Sequence, residues 1–446
     1  VADNVLSTWQ PFLFDLKGKV WEVFPSEAPF LAEMSGYSSA MQNVDHASKV
    51  VRLDREMASG RDIFSGKQVR HTLILAGLPG GGWVQEGSTW NVPQVLPSTE
   101  IHINLVRALV PFSVSVDVER DSFDNSNATA VATLVNEART ALARQENLAF
   151  LGDGTGLIAT VTDAATSLTT TITGGNWDVL LPGTVWDIKT RTTGADPGQG
   201  LRRKIASVAP TAGSDSAGVI TWDTAQQASD GGTGNIVHAA TEGIYPCGSW
   251  SNSTGATAPG AMVAQGLEQA AATSGTFEAV DKANVPQWQG TDGRGGDTSV
   301  IPLSDQMLDG AVRRGRRAGL GTWDFGMGDP SCIDLYKQGK YAQVKYDPQV
   351  LTLVSGFSGI LYEGADKPFP IIKEPMHRKG GIKLIDKGSF QLYGDQPGPT
   401  FLEDDGAMFR RFSRTLAKEA DMLDRVQLGV TKCNTLIFLN NLLSAS

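Results

Sequence analysis

The residues able to do chemistry are few and scattered. Five histidines (His46, His71, His102, His238 and His377) stand apart, and none lies four residues from another histidine or beside a cysteine. A zinc site gathers several Cys, His or carboxylate ligands, usually in close-spaced pairs. Cys247, Cys332 and Cys433 are too far apart in sequence to supply such pairs or an even-numbered disulfide framework. Gly152-Asp-Gly-Thr-Gly156 invites a phosphate-cradle reading, but a dinucleotide fingerprint follows a strand and opens a helix. Here the glycines close a helical pattern. There is no Gly-Lys-Ser/Thr triplet for a P-loop and no Gly-x-Ser-x-Gly elbow. Glu403-Asp404-Asp405 before Gly406 can touch a cation, although a solvated turn is the plainer reading. No catalytic, cofactor-binding or metal-ligating residue is assigned, no cofactor is expected, and the chain is read as a protein that is not an enzyme.

Composition narrows the class further. A chain of 446 residues suggests two to three domains, and 41% hydrophobic with 19% charged residues is a globular balance. Thirty-eight basic against 48 acidic side chains leave a net charge of −10, which disfavours coating nucleic acid by bulk charge. No apolar run approaches the ~18 residues of a membrane span. Residues 1–16 carry Asp3 and Asp15 and lack the basic-then-apolar order of a signal peptide. Removal of one methionine and cleavage of a longer leader account equally for a chain that begins at Val1. A secreted disulfide scaffold, a membrane protein and a basic chromatin-type protein are disfavoured.

Function must then lie in surfaces, and the elements that present them are legible in order. Residues 1–55 read as an arm whose aromatic anchors (Trp9, Phe12, Phe14, Trp21, Phe24, Phe30) are broken by Pro11, Pro25 and Pro29. Such a segment cannot close a core around itself, so it needs a surface on its own chain or on a neighbour. From Val69 to Val118 the apolar period turns towards two: Val69, His71, Leu73 and Leu75, then Ile101, Ile103 and Leu105, then Phe112, Val114, Val116 and Val118. Trp83-Val-Gln-Glu-Gly87 and a tip punctuated by Pro93 and Pro97 lie between these runs. A long ribbon of this kind is marginal alone in water and is expected to be short of partners within its own chain.

Val131, Val135, Ala138, Leu142 and Ala149 recur at helical spacing, with Asp124 or Ser126 as cap and Gly152 as stop. The pattern predicts a helix over 127–151. Residues 160–260 are rich in Gly, Ser, Thr and Asp with short apolar runs, so an all-β insertion is expected, with short strands at 175–183 and 218–222. Between Lys204 and Lys282 there is no Lys or Arg, while Asp215, Asp223, Asp230, Glu242, Glu268, Glu278 and Asp281 add seven negative charges. That stretch is read as a solvated face. A second helix is expected over 303–320, bearing Arg313, Arg314, Arg316 and Arg317. Strand-like runs follow at Ile360–Tyr362, Phe369–Ile372, Ile382–Ile385, Phe390–Tyr393 and Leu436–Leu439.

This order of parts resembles the HK97-fold major capsid proteins of tailed double-stranded-DNA bacteriophages. Trp83 to Gly87 matches the family's W-V-x-E-G stretch on an extended loop, Phe112 to Ser115 its following strand, and Leu148 to Gly156 its long helix closing on G-x-G-T-G. Tyr245-Pro-Cys-Gly248, Phe277-Glu-Ala-Val-Asp281 and Trp288 look like parts of the family's axial domain. The resemblance implies an α+β, HK97-like capsid fold. It would comprise an N-terminal arm (1–55), an extended β loop with flanking strands (56–112) and a peripheral domain with a long spine helix (113–156). An axial domain with an all-β insertion at about 160–260 (157–380) and a return to the peripheral domain (381–446) would complete it.

The implied function is structural: self-assembly into hexamers and pentamers of an icosahedral shell enclosing packaged double-stranded DNA, without sequence specificity and without a membrane. Scaffold, portal and decoration proteins are partners that the resemblance allows. The implied location is the virion capsid, with the host cytoplasm during assembly. Trp83, Val84, Glu86 and Trp90 on the loop and Arg313, Arg314, Arg316 and Arg317 on the helix are the expected subunit-interface residues. The arginines either face DNA or form salt bridges between subunits, the second being favoured in a chain with surplus carboxylates. Some family members cross-link through a loop lysine; none occurs from Trp83 to Glu100, so no such cross-link is expected. The alternative is an encapsulin-type shell protein enclosing cargo enzyme, against which the length, insertion and arm argue.

Overall fold

The computed structural model describes residues 30, 50–52, 63–65, 68–75, 97–115, 128–193, 195, 202–211, 214–223, 236–247, 263–319, 321–341, 351–352, 358–362, 368–394, 399–402, 410–411 and 417–443. Four helices of five or more residues lie among them: α1 Ala128–Leu151, α2 Leu267–Ala271, α3 Asp305–Gly319 and α4 Pro330–Tyr341. No helix among the described residues is long and apolar enough to cross a membrane.

The long helix forms where its period predicts. At 24 residues, α1 is a rod of about 36 Å. It buries Ala138, Leu142, Glu146 and Phe150 on one row and Ala143, Asn147 and Leu151 on the next, the i, i+4 spacing of a helix face. The Gly152 N–H closes the helix on the carbonyls of Leu148 (3.1 Å) and Ala149 (3.2 Å). The expected caps Asp124 and Ser126 lie outside the described residues.

α1 lies on a sheet of six strands among the described residues, built around Ala417–Val430. That strand pairs antiparallel with Val106–Ser115 over ten positions, from Ala417↔Ser115 to Val426↔Val106. Phe390–Gly394, Thr400–Phe401 and Arg410–Arg411 also pair with it, and Val50–Arg52 adds parallel to Phe390–Gly394. Ala138 and Leu142 pack on Met422, Ala108, Val110 and Phe112. The sequence reading did not identify this 14-residue strand. Lys418, Glu419, Asp421 and Arg425 broke its apolar run, yet Ala420, Met422, Val426, Leu428 and Val430 keep the period of two and are all buried.

A second, seven-stranded sheet runs Thr291–Asp292, Ile437–Leu439, Ile382–Ile385, Phe325–Gly328, Phe369–Lys373, Ser358–Tyr362, Leu351–Thr352. α3 and α4 cover one face through Leu308, Ala311, Val312, Cys332 and Ile333. Phe325, Met327, Ile372 and Ile385 share a core with Phe150, Leu267 and Trp288. The segment after residue 381 is divided: Ile382–Ile385 and Ile437–Leu439 join this sheet, whereas Phe390–Gly394 and Ala417–Val430 join the other. Leu442 is buried, and its N–H donates to Gly380 O at 2.9 Å, so this stretch is docked.

Between α1 and α2 the chain forms a closed six-stranded barrel within Ala159–Pro246. Ile172, Ile188, Ile205, Ile220, Trp222 and Ile244 fill it. The strand expected at 175–183 is instead a 3-10 turn, Trp177–Val179. Gly174 and Gly175 hold φ of +68° and +67°, and a Cβ on Gly175 would meet the Ile158 carbonyl oxygen at 1.9 Å. The chain therefore bends there and buries Trp177 and Leu180 in the barrel core. Residues 218–222 are strand, within Ser214–Trp222.

The solvated-face reading of the acidic stretch needs correction. Glu242 and Glu278 are buried, and Glu268 is half-buried against Lys383. Each accepts a hydrogen bond: from Ala239 N–H to Glu242 at 2.9 Å, from Lys383 Nζ to Glu268 at 2.8 Å, and from Val430 N–H to Glu278 at 2.8 Å.

Candidate subunit interface

The ribbon is rooted by seven antiparallel pairs, from Gln68↔Asn104 to Ile74↔Ser98, and Leu75 N–H extends the ladder to Pro97 O at 2.9 Å. Its root docks on its own chain, contrary to the expectation that the ribbon is short of intramolecular partners. Val69 and Ile103 pack on Tyr393, whose hydroxyl meets His71 Nε2 at 3.1 Å, while Ile101 enters the main core. The alternation that marks these strands in sequence is what turns those three side chains to one face. On the same face Leu73 is half-buried against the main core, while Ile74, on the opposite face, is 60% exposed. Trp83, Val84, Glu86 and Trp90 lie outside the described residues.

One residue clasps the ribbon root. Glu278 O accepts His102 N–H at 2.9 Å, its N–H donates to Gln265 Oε1 at 3.2 Å, and its carboxyl accepts Val430 N–H. Glu278 and Ala279 both adopt positive φ (49° and 66°), strain that bonds to three separate segments hold in place. Burial pushes the Glu278 carboxyl up to about 8, against the lowering by the Val430 N–H and Lys282. Lys282 caps the end of α2 by donating to the carbonyls of Gln269, Ala270 and Ala272 at 2.6–2.7 Å.

The arm meets its own chain at Phe30. That side chain is fully buried, and its N–H donates to Glu374 Oε2 at 2.8 Å. Glu374 Oε1 also accepts Asn147 Nδ2 from α1 and Met376 N–H, each at 3.2 Å. The other aromatic anchors of the arm, Trp9, Phe12, Phe14, Trp21 and Phe24, lie outside the described residues.

The four arginines come together on α3. Ser304 starts the helix, its Oγ accepting Met307 N–H at 3.4 Å, and Asp305 in the first turn with Arg316 and Arg317 in the last complement the helix dipole. Gly315 lets the helix press on the sheet, since a Cβ there would lie 2.5 Å from Ile437 Cδ1 and Trp323 Cζ2. Arg313, Arg314 and Arg317 are exposed and Arg316 is half-buried. The Arg314 guanidinium donates to Gly293 O, Tyr336 OH to Asp305 and Tyr362 OH to Asp309. Burial and Asp309 together raise the Tyr362 hydroxyl above its ordinary range. The acidic end of α3 is thus tied inward and the basic end faces out.

The remaining buried polar groups serve the interior. Lys383 Nζ reaches Glu268 at 2.8 Å and His377 Nε2 at 2.9 Å, and His377 Nδ1 donates to Arg378 O at 2.8 Å. Burial, then Lys383, pushes His377 down to about 3. A cavity of about 200 Å³ adjoins it, lined by Arg144, Asn176, Asp329 and Lys379 among others, below the usual size of a small-molecule site. Among the described residues no group of three or more His, Cys, Asp or Glu could hold a metal. Sequence reasoning missed Glu278, Glu374, Lys282 and Lys383. Their partners are backbone groups and side chains at irregular separations, from 2 to 344 residues, which leave no spacing signal.

No protein-family model matches the sequence, and no curated protein does. Among solved structures the chain is similar to the cyanophage A-1(L) capsid asymmetric unit, with 11% identity over 95% of each chain and a TM-score of 0.54. It is also similar to a chain of Gordonia phage Cozz (11% identity, 96% of this chain and 90% of that one, TM-score 0.43). A likeness to the holo-SrpI encapsulin complex of Synechococcus elongatus covers 32% of this chain and 53% of that one, at 16% identity and a TM-score of 0.25. The last two scores are too low to carry an argument. The first, spanning nearly the whole of both molecules, is a likeness of fold: this mixed helix-and-strand chain has the fold of a phage capsid protein.

Proposed function

We propose that the chain is the major capsid protein of a tailed double-stranded-DNA phage, of the HK97 kind, and that copies assemble as hexamers and pentamers of an icosahedral shell around packaged DNA. The observation that carries this reading is the fold likeness over 95% of both chains. The ribbon supports it: one face of its root is anchored on the body and the other leaves Ile74 60% exposed. Residues 56–112 are then the extended loop and its flanking strands, the loop lying across a neighbour with Trp83, Val84, Glu86 and Trp90 in that contact. α1 is the spine helix of a peripheral domain, and the seven-stranded sheet with α3 belongs to the axial domain that carries the barrel. Arg313, Arg314, Arg316 and Arg317 pair with carboxylates of an adjacent subunit.

The energetics are adequate. Buried apolar area contributes roughly 25 cal/mol per Å², so a standard contact of ~1,600 Å² repeated at several edges of a subunit in the proposed shell would bind strongly through avidity. Electron microscopy of the purified chain, with assay of nuclease-protected DNA in particles from infected cells, tests the reading. Closed shells with DNA support it. Shells holding a protein cargo and no DNA would favour the encapsulin-type alternative, and a small soluble oligomer would exclude both.

A further inference from the structure

Between α1 and the six-stranded sheet two acids meet. Glu146 and Asp424 are only 5% and 6% exposed, and their side chains hydrogen-bond to each other. Ionised carboxylates are acceptors only, so such a bond requires a proton on one of the two. The surroundings say which. Asp424 Oδ1 accepts the Arg425 N–H at 2.6 Å, a donor that favours its charged form. Glu146 Oε1 is buried with no hydrogen-bond partner, which suits a neutral acid.

Among the described residues of the elements packed around it, no cationic side chain faces Glu146. Its α1 neighbours three and four residues away are Leu142, Ala143, Ala149 and Phe150. On the same face of the central strand lie Met422 and Val426, and Ala108 stands opposite Asp424. Arg107, Asp421 and Arg425 occupy the alternate positions of these strands and so point to the other face of the sheet.

We propose that Glu146 is a neutral carboxylic acid donating its proton to the Asp424 carboxylate, so that the contact between the long helix and the sheet is a proton-dependent latch. Burial first and Asp424 second hold the Glu146 carboxyl well above the ordinary carboxylate range. The direction follows from linkage. A group whose pKa is raised on folding stabilises the fold fully below its unfolded value, and that contribution is lost as pH rises through the folded value. Loss of the proton sets two buried negative charges against each other and loosens α1 from the sheet. The inference concerns the chain alone and stands apart from the shell reading. In a shell, it would make the seating of α1 depend on pH.

Infrared spectroscopy of the full chain tests it directly. The wild-type protein at neutral pH is expected to show the carbonyl stretch of a protonated carboxylic acid, and Glu146→Gln to lose one such component. Glu278 contributes a second component, which Glu278→Gln removes without touching the first. Asp424→Asn, the second variant, should move the titration of the Glu146 component to lower pH. Glu146→Gln should also flatten the fall of the unfolding temperature from neutral to alkaline pH. Identical acid bands in wild type and Glu146→Gln, or an Asp424→Asn titration unmoved from wild type, would overturn the latch.

Discussion

Glu374 accepts hydrogen bonds from three directions: the arm at Phe30, α1 at Asn147, and its own turn at Met376. Glu374→Ala leaves at least two backbone donors buried without an acceptor, each costing about 1–3 kcal/mol. A loss of about 3 kcal/mol is expected in denaturant unfolding, with the slope unchanged; a loss under about 1 kcal/mol would show that water replaces the carboxylate. The Lys383 cluster sets the acid limit. His377, pushed down to about 3 from 6.5, and Glu268, lowered through Lys383 and His377 despite burial, both stabilise the fold at neutral pH and lose that contribution as pH falls. His377→Gln should flatten the decline of stability between about 6.5 and 3, measured by unfolding at stepped pH; an unchanged slope would place the acid sensitivity elsewhere. Residues such as Arg313–Arg317 were legible because they form a run on a periodic helix. Glu278 and Glu374 were not, since their meaning resides in backbone groups about 150 or more residues away.

Elements whose apolar period is clean were readable: α1, α3, the two ribbon strands and the short strands from Ser358 to Ile385 all formed where expected. Where charge interrupts the period, as in Ala417–Val430, or where glycine bends a short apolar run, as at Trp177–Val179, local pattern loses to tertiary burial. The bend makes its own prediction. Gly175→Ala combines a left-handed φ with contact against the Ile158 carbonyl, and should destabilise the barrel by at least about 2 kcal/mol. Thermal unfolding followed by tryptophan fluorescence checks this, and an unshifted transition contradicts it. α3 predicts the opposite kind of result. Arg313 and Arg317 are exposed, so Arg313→Ala with Arg317→Ala should change stability by no more than about 0.5 kcal/mol each yet cut particle yield several-fold. Normal yield with loss of retained DNA would assign these side chains to DNA instead of to a neighbouring subunit.

At the scale of the whole molecule, two sheets are stitched together by a segment that serves both, with α1 laid across one and sharing a core with the other. The barrel is a closed unit inserted between α1 and α2 with its own core. The order of ribbon root, long helix and β insertion was legible because each changes the texture of the sequence. The sharing of residues 381–446 between sheets was not, because strand partners are set by packing and not by composition. The body is firmly closed, while the outward face of the ribbon root leaves Ile74 exposed. The central claim is that this outer ribbon finds its partner in another copy. Electron microscopy of the purified chain at high concentration tests it most directly: closed icosahedral particles with the ribbon of each subunit lying over its neighbour are predicted, and a stable, folded monomer with the ribbon tucked onto its own body would contradict the account.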